Sequence, residues 1–165
     1  MSPQGRWSVH RPPDAYELLL LPRMVGWTLV MPALKRVIPL PTLARLLWVN
    51  RGAAAPRRAR QQPIVRVARR LLRARSRRGD ENCLERSLVL YRFLSMASLD
   101  PRLVLGVRRD GDGVTGHAWI TVDGDPVVEA SVADYAPIAS IGPAGLVEPA
   151  AAQSADALAS FGVRS

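Results

Sequence analysis

The chain has one cysteine and two histidines in 165 residues, and only 5% of it is aromatic. Each scarcity excludes something. A single thiol cannot close a disulfide within the chain, and without a CxxC pair there is no sequence basis for a structural zinc site. No charged segment with a small-residue cleavage site opens the chain, which together with the cysteine count leads us to expect a reducing, cytoplasmic setting. Long apolar runs are also missing. A bilayer-crossing helix needs about 20 apolar residues in succession, and the most apolar stretch, Tyr16 to Trp48, is interrupted by Pro22, Arg23 and Pro32. A single membrane span is therefore not expected.

What is present is a chain of 48% hydrophobic residues, enough for one domain with a core and a small appendage. The formal charge is +9, and of 23 basic residues all but Lys35 are arginine. Arginine binds oxyanions through two parallel hydrogen bonds, so this density suits carboxylate or phosphate partners, with a solvated surface as the simpler reading. Nucleic acid is not expected as a partner. No aromatic residues for base stacking interleave with the arginines, and no recognisable nucleic-acid module surrounds them.

In chain order, residues 1–14 carry Pro12-Pro13 without periodicity and read as an extended or disordered arm. Residues 15–56 read as a hydrophobic helical subdomain and linker. There the prolines are expected to leave short helices, one around Ala33 to Ile38 and one capped by Thr42. That subdomain would bury its leucines on the main domain or a partner; peripheral contact with a membrane surface through Trp27, Trp48, Lys35 and Arg36 is the alternative. Ten arginines fall between Arg57 and Arg78. Within that run Ile64, Val67, Ala68, Leu71 and Leu72 recur at helical spacing, predicting an amphipathic helix from Pro63 to Ser76 with Arg66, Arg69, Arg70 and Arg73 on a face free for solvent or an acidic partner.

The next helix is predicted to begin at Asp80-Glu81-Asn82-Cys83, with Glu85 at capping-box spacing from Asn82, and to stop before Asp100-Pro101. Three strand signals follow: Arg102 to Arg108, Gly116 to Val122 and Pro126 to Ser131. They are separated by Asp-Gly turns and predict an antiparallel meander packed on the Cys83 helix, an α+β core over residues 57–142. Residues 143–165 read as a weakly ordered tail.

Cys83 and His117 carry the chemistry. A thiol attacks as the thiolate, which the unpaired N–H groups and positive dipole end of a first helical turn stabilise, and the same N–H groups can hold an oxyanion. A strand histidine can take the thiol proton and return it to a leaving amine. It needs an acceptor on its second nitrogen, and the turn register nominates one. If Val122-Asp123-Gly124 is a three-residue loop, Glu129 lies opposite His117 on the same face; if Asp123-Gly124 is a two-residue turn, Glu129 lies opposite Ala118. Asp123, Asp125 and Asp134 are the remaining candidates. Simple burial of Cys83 and solvent exposure of Glu129 are the non-catalytic readings.

The segments Cys83-Leu84-Glu85-Arg86-Ser87-Leu88, Leu105-Gly106-Val107 and Gly116-His117-Ala118-Trp119-Ile120-Thr121-Val122-Asp123-Gly124 resemble the stand-alone leader peptidases of lasso-peptide biosynthesis, the B proteins, over roughly residues 64 to 135. The resemblance implies a transglutaminase-like, papain-like cysteine peptidase core with an N-terminal helical subdomain. It implies Cys83 as nucleophile and His117 as base, with Glu129 where the family typically has Asp. It further implies cleavage of one amide bond in a ribosomal precursor peptide without a cofactor, a separate leader-recognition protein, and an ATP-dependent lasso cyclase acting next. Another acyl transferase or amidase of the same fold is the rival activity. A non-catalytic interaction module is the rival from another class.

Overall fold

Helix α4 (Cys83–Met96) is apolar on nearly every side, and Leu88, Val89, Leu90, Tyr91, Phe93 and Leu94 are all buried. A helix of that kind has to be covered all round. The computed structural model describes residues 15–49, 58–76, 82–128 and 132–149, and in it α1 (Ala15–Val37), α2 (Leu40–Leu47) and α3 (Gln61–Ser76) cover α4 on one side and an antiparallel sheet on the other. The strands are β1 (Pro101–Asp110), β2 (Gly113–Val122), β3 (Asp125–Pro126), β4 (Ala136–Ile141) and β5 (Val147–Pro149), in spatial order β3-β2-β1-β4-β5. The architecture is α+β, as expected. The buried apolar residues of all four helices and of the sheet form one continuous cluster.

Period-two alternation sets which strand residues join that cluster. Leu103 pairs with Ile120 and Leu105 with Ala118, and these side chains, with Val122 and Ile141, meet the helices. His117, Trp119 and Thr121 alternate to the other face. Tyr91 ties α4 to the chain beyond β4 by donating to the Gly142 carbonyl at 2.5 Å, and burial pushes its phenol up to about 12.

Several expectations need correction. The expected meander is a five-stranded sheet, because β4 returns to pair with the free edge of β1 and β5 pairs with β4. Ala136 to Ile141 lacks the β-branched run that marks a strand. It is held instead by backbone pairing and by burial of Ile141. Regular structure continues past Pro143 into β5, which Arg102 joins to the sheet through Glu148 at 2.5 Å. The third strand is only Asp125–Pro126, and residues 129–131 lie outside the described residues.

The prolines do not divide α1, which runs continuously through Pro22 and Pro32. A proline inside a helix costs about 3 kcal/mol, and burying a large apolar side chain returns about 1.5–3 kcal/mol. Leu20, Met24 and Met31 flank the two prolines and are at most 5% exposed, so packing offsets the local cost. Helix α2 begins at Leu40 with Pro41 in its first turn, rather than at a Thr42 cap, since a proline's missing N–H is harmless there. Among the described residues α1 is the one helix long and apolar enough to cross a membrane. Here it is docked lengthwise on α3 and α4.

Three of the four arginines on the predicted α3 face are not free either, and the side chain of Arg73 lies outside the described residues. Arg66 and Arg70 reach the Glu17 carboxylate of α1 at 2.5 and 3.1 Å, and Glu17 is 2% exposed. Arg69 donates to the Val128 carbonyl at 3.1 Å. A buried carboxylate is tolerated only when its charge is matched, so these arginines hold α1 on α3. Replacing Arg66 and Arg70 together by Met should lower stability in urea denaturation by about 3 kcal/mol, and Glu17→Gln in that background should recover part of it. An unchanged midpoint in the double variant would mean that the ion pairs do not hold the helices together.

Candidate active site

The local sequence fixes the start of α4. Asn82 is the N-cap, its side-chain oxygen accepting from the Glu85 N–H while its amide donates to Glu85 Oε1 at 3.0 Å. Asn82 is thus the cap at the predicted capping-box spacing, with Glu85 returning to the Asn82 side-chain amide in place of the backbone N–H. Cys83 is thereby the first helical residue, half-buried and a free thiol. The first bonded N–H groups of the turn are those of Glu85 and Arg86, both held by Asn82. The N–H groups of Cys83 and Leu84 come before any intrahelical acceptor. Among the described residues no acceptor is recorded for them, and they lie at the positive end of the helix, where a group bound beside the thiol can reach them.

Glu85 is 5% exposed, and its charge is met from outside α4: Lys35, near the C-terminus of α1, lies 2.8 Å from the same Oε1 that Asn82 holds. The sole lysine of the chain thus braces the cap beside the thiol. Sequence patterning could flag Glu85 as a capping residue, but it gave no sign of this distant cation.

His117 lies in the middle of β2, opposite Gly106 of β1 and half-buried. One turn after Cys83, Ser87 donates its hydroxyl to the carbonyl of Ala118, the residue following His117, at 3.0 Å, and Ser87 is 1% exposed. The bond joins the helix that begins at Cys83 to the strand that bears His117, one helical turn from the thiol and at the residue after the imidazole, whose own side chain alternates to the face opposite Ala118. Aromatic rings flank the imidazole: Tyr135 stacks on it with centroids 4.8 Å apart, and Trp119 lies 6.1 Å away. A Cβ at residue 106 would come within 2.6 Å of the Trp119 ring, so only glycine allows that ring to lie flat against β1. Arg108 in turn covers Tyr135 at 4.9 Å.

These surroundings disfavour the protonated imidazole. Burial lowers the pKa of His117 from the ordinary 6.5, and the positive charges of Arg86 and Arg108 lower it further. A neutral imidazole at physiological pH can accept a proton from a thiol.

The turn after β2 decides the register left open by the sequence. Val122 pairs with Asp125 and Thr121 with Pro126, and Asp123 and Gly124 both have positive φ, 55° and 90°. This is a two-residue turn with both central residues left-handed, the form that matches strand twist. The three-residue loop, and with it the count that set Glu129 across from His117, is therefore corrected. Glu129 itself lies outside the described residues. Asp125 and Asp134 are exposed, and Asp123 is exposed and pairs with Arg58 at 2.8 Å. Sequence reasoning missed Ser87, Tyr135, Arg108 and Lys35. Only Ser87, one helical turn from Cys83, left a signal that could have been followed.

Among the described residues no cluster of His, Cys, Asp and Glu is arranged to hold a metal ion. The family model of the transglutaminase-like superfamily matches residues 23–140, more than half of the chain. Neither a curated protein nor a solved structure matches it.

Two outcomes test this geometry. Arg108→Gln removes one of the charges that depress His117, so the acid limb of a pH–activity profile should move upward, toward 6.5; an unmoved limb would detach Arg108 from His117. Lys35→Met leaves the Glu85 carboxylate uncompensated beside Cys83, and Glu85→Gln leaves the cation instead. Iodoacetamide labelling of Cys83 at neutral pH should slow roughly tenfold in the first and quicken in the second, the size expected for a nearby charge at an effective dielectric of about 20. A shift of the same sign in both would reduce the pair to a structural brace.

Proposed function

Because the chain belongs to the transglutaminase-like superfamily, whose fold commonly carries cysteine-based catalysis in peptidases and acyl transferases, we propose that it is a cysteine peptidase that removes the leader from a ribosomally made lasso-peptide precursor. The observation that carries this reading is the Ser87–Ala118 bond, which joins the helix that begins at Cys83 to the strand that bears a neutral His117.

In the proposed reaction Cys83 Sγ attacks the carbonyl carbon of the scissile amide while His117 accepts the thiol proton. The oxyanion of the tetrahedral intermediate lies against the Cys83 and Leu84 N–H groups. Collapse breaks the C–N bond. His117 gives its proton to the departing amine, and a thioester to Cys83 remains. Water then attacks the thioester with His117 as base, and the leader leaves as a carboxylic acid. Glu129 is the proposed acceptor for the second nitrogen of His117, now on the family resemblance alone. Tyr135 and Trp119 restrict the ring by stacking.

Leader peptidases of this kind work beside a separate recognition protein, and the same is proposed here, with the ATP-dependent cyclase acting on the freed amino group. Incubation with a lasso-peptide precursor, with and without a leader-recognition protein, should give two fragments whose masses sum to the precursor plus one water. Cys83→Ala should reduce this by roughly a thousandfold or more, with the precursor still bound. Undiminished processing by Cys83→Ala would remove the nucleophile from the scheme. Fragments joined to an added amine in place of water would make the protein an acyl transferase.

A further inference from the structure

A groove runs along the outside of the molecule between α1 and α4, far in chemistry from the thiol. Its larger hollow encloses about 570 Å³ and a second about 280 Å³, and the two share Arg23, Phe93 and Met96. Their linings extend along α1 from Tyr16 to Val30, roughly 20 Å of helix by its rise per residue. The floor is apolar, and no acidic residue lines either hollow. Leu19, on its lining, stands 69% exposed, a bare leucine at the groove itself.

Three arginines complete the lining: Arg23, Arg60 and Arg92. The guanidinium of Arg60 lies 5.2 Å over Tyr16, and that of Arg92 lies 4.1 Å over Trp27. Stacking on a ring fixes a guanidinium while leaving its edge to bind a carboxylate in plane. Elsewhere on these helices buried charge is matched within the chain, by Arg66 and Arg70 on Glu17 and by Lys35 on Glu85. In the groove, none of the three arginines meets a carboxylate among the described residues, and Arg92 Nε is buried without a hydrogen-bond acceptor there. Burial also lowers the proton affinity of Arg92.

We propose that this groove docks an acidic, amphipathic segment of a partner protein, with its apolar side chains on Leu19, Phe93 and Met96 and its carboxylates on Arg23, Arg60 and Arg92. The charge complementarity is specific in shape as well as sign. A lipid surface engages cations that project from a convex face, whereas Arg92 is recessed between two helices beside Trp27, where a projecting Asp or Glu side chain reaches and a headgroup plane does not. The docking uses neither Cys83 nor His117, so it stands apart from the proposed peptidase chemistry.

A fluorescently labelled synthetic helix, its leucine stripe bounded by glutamates, should raise its anisotropy on titration with the full chain, and added salt should weaken the binding. The same helix with lysines for glutamates should not bind. Arg23→Gln alone, on the exposed rim, should weaken binding several-fold, and Arg23→Gln with Arg92→Gln by at least about tenfold. The rate at which iodoacetamide labels Cys83 should stay unchanged, showing that the fold is kept. Equal binding of the acidic and basic helices, or full binding by a folded double variant, overturns the proposal. So does binding to phosphatidylcholine vesicles containing phosphatidylglycerol with none to the acidic helix, which would assign the face to lipid.

Discussion

The first turn of α4 rests on one buried carboxylate. Glu85 is almost wholly removed from water, and an unmatched charge there would cost several kcal/mol. Two groups match it at the same oxygen: the Asn82 amide of its own cap and the Lys35 ammonium of α1. The first makes the helix begin at Cys83, and the second fastens that beginning to a helix far away in sequence. The position of the thiol therefore depends on a contact between α4 and the distant helix α1.

A second buried polar contact sets the other half of the site. Ser87 can lie at 1% exposure only because its hydroxyl finds the Ala118 carbonyl, and that bond fixes how far along β2 the helix sits. The imidazole next door is flanked by aromatic rings. Tyr135 covers one side, Arg108 backs Tyr135, and the bare backbone of Gly106 makes room for Trp119. The consequence is electrostatic as well as steric, because a half-buried ring near Arg86 and Arg108 holds its proton weakly.

Helix α1 has two faces with opposite chemistry. Toward the core, Glu17, Leu20, Met24, Met31 and Lys35 are each satisfied by packing or by an ion pair. Outward, exposed leucines stand beside arginines that face no carboxylate among the described residues. The formal charge of +9 is thus not spread evenly in its use. Arg66, Arg69 and Arg70 of α3 are engaged with Glu17 and the Val128 carbonyl, and those of the α1–α4 groove are left for something outside the chain.

The start of α4 was legible because a capping box is local: Asn82 and Glu85 meet across one helical turn whatever the rest of the chain does. The amphipathic stripe of α3 and the first hairpin were legible for the same reason, since periodicity and turn residues act over a few positions. Continuous α1 was not, because the packing that offsets Pro22 and Pro32 comes from residues distant in sequence. Strand β4 was not, because its pairing with β1 is long-range and its own residues carry no strand signal. By itself the sequence determined which residues can do chemistry, Cys83 at a helix start and His117 on a strand. Tertiary structure decided what surrounds them: the Asp123-Gly124 turn that moved the count away from Glu129, the Tyr135 stack, and the Lys35 brace. Each of these needs atoms brought together from separate elements, and only the folded backbone fixes which charges, rings and carbonyls come within reach.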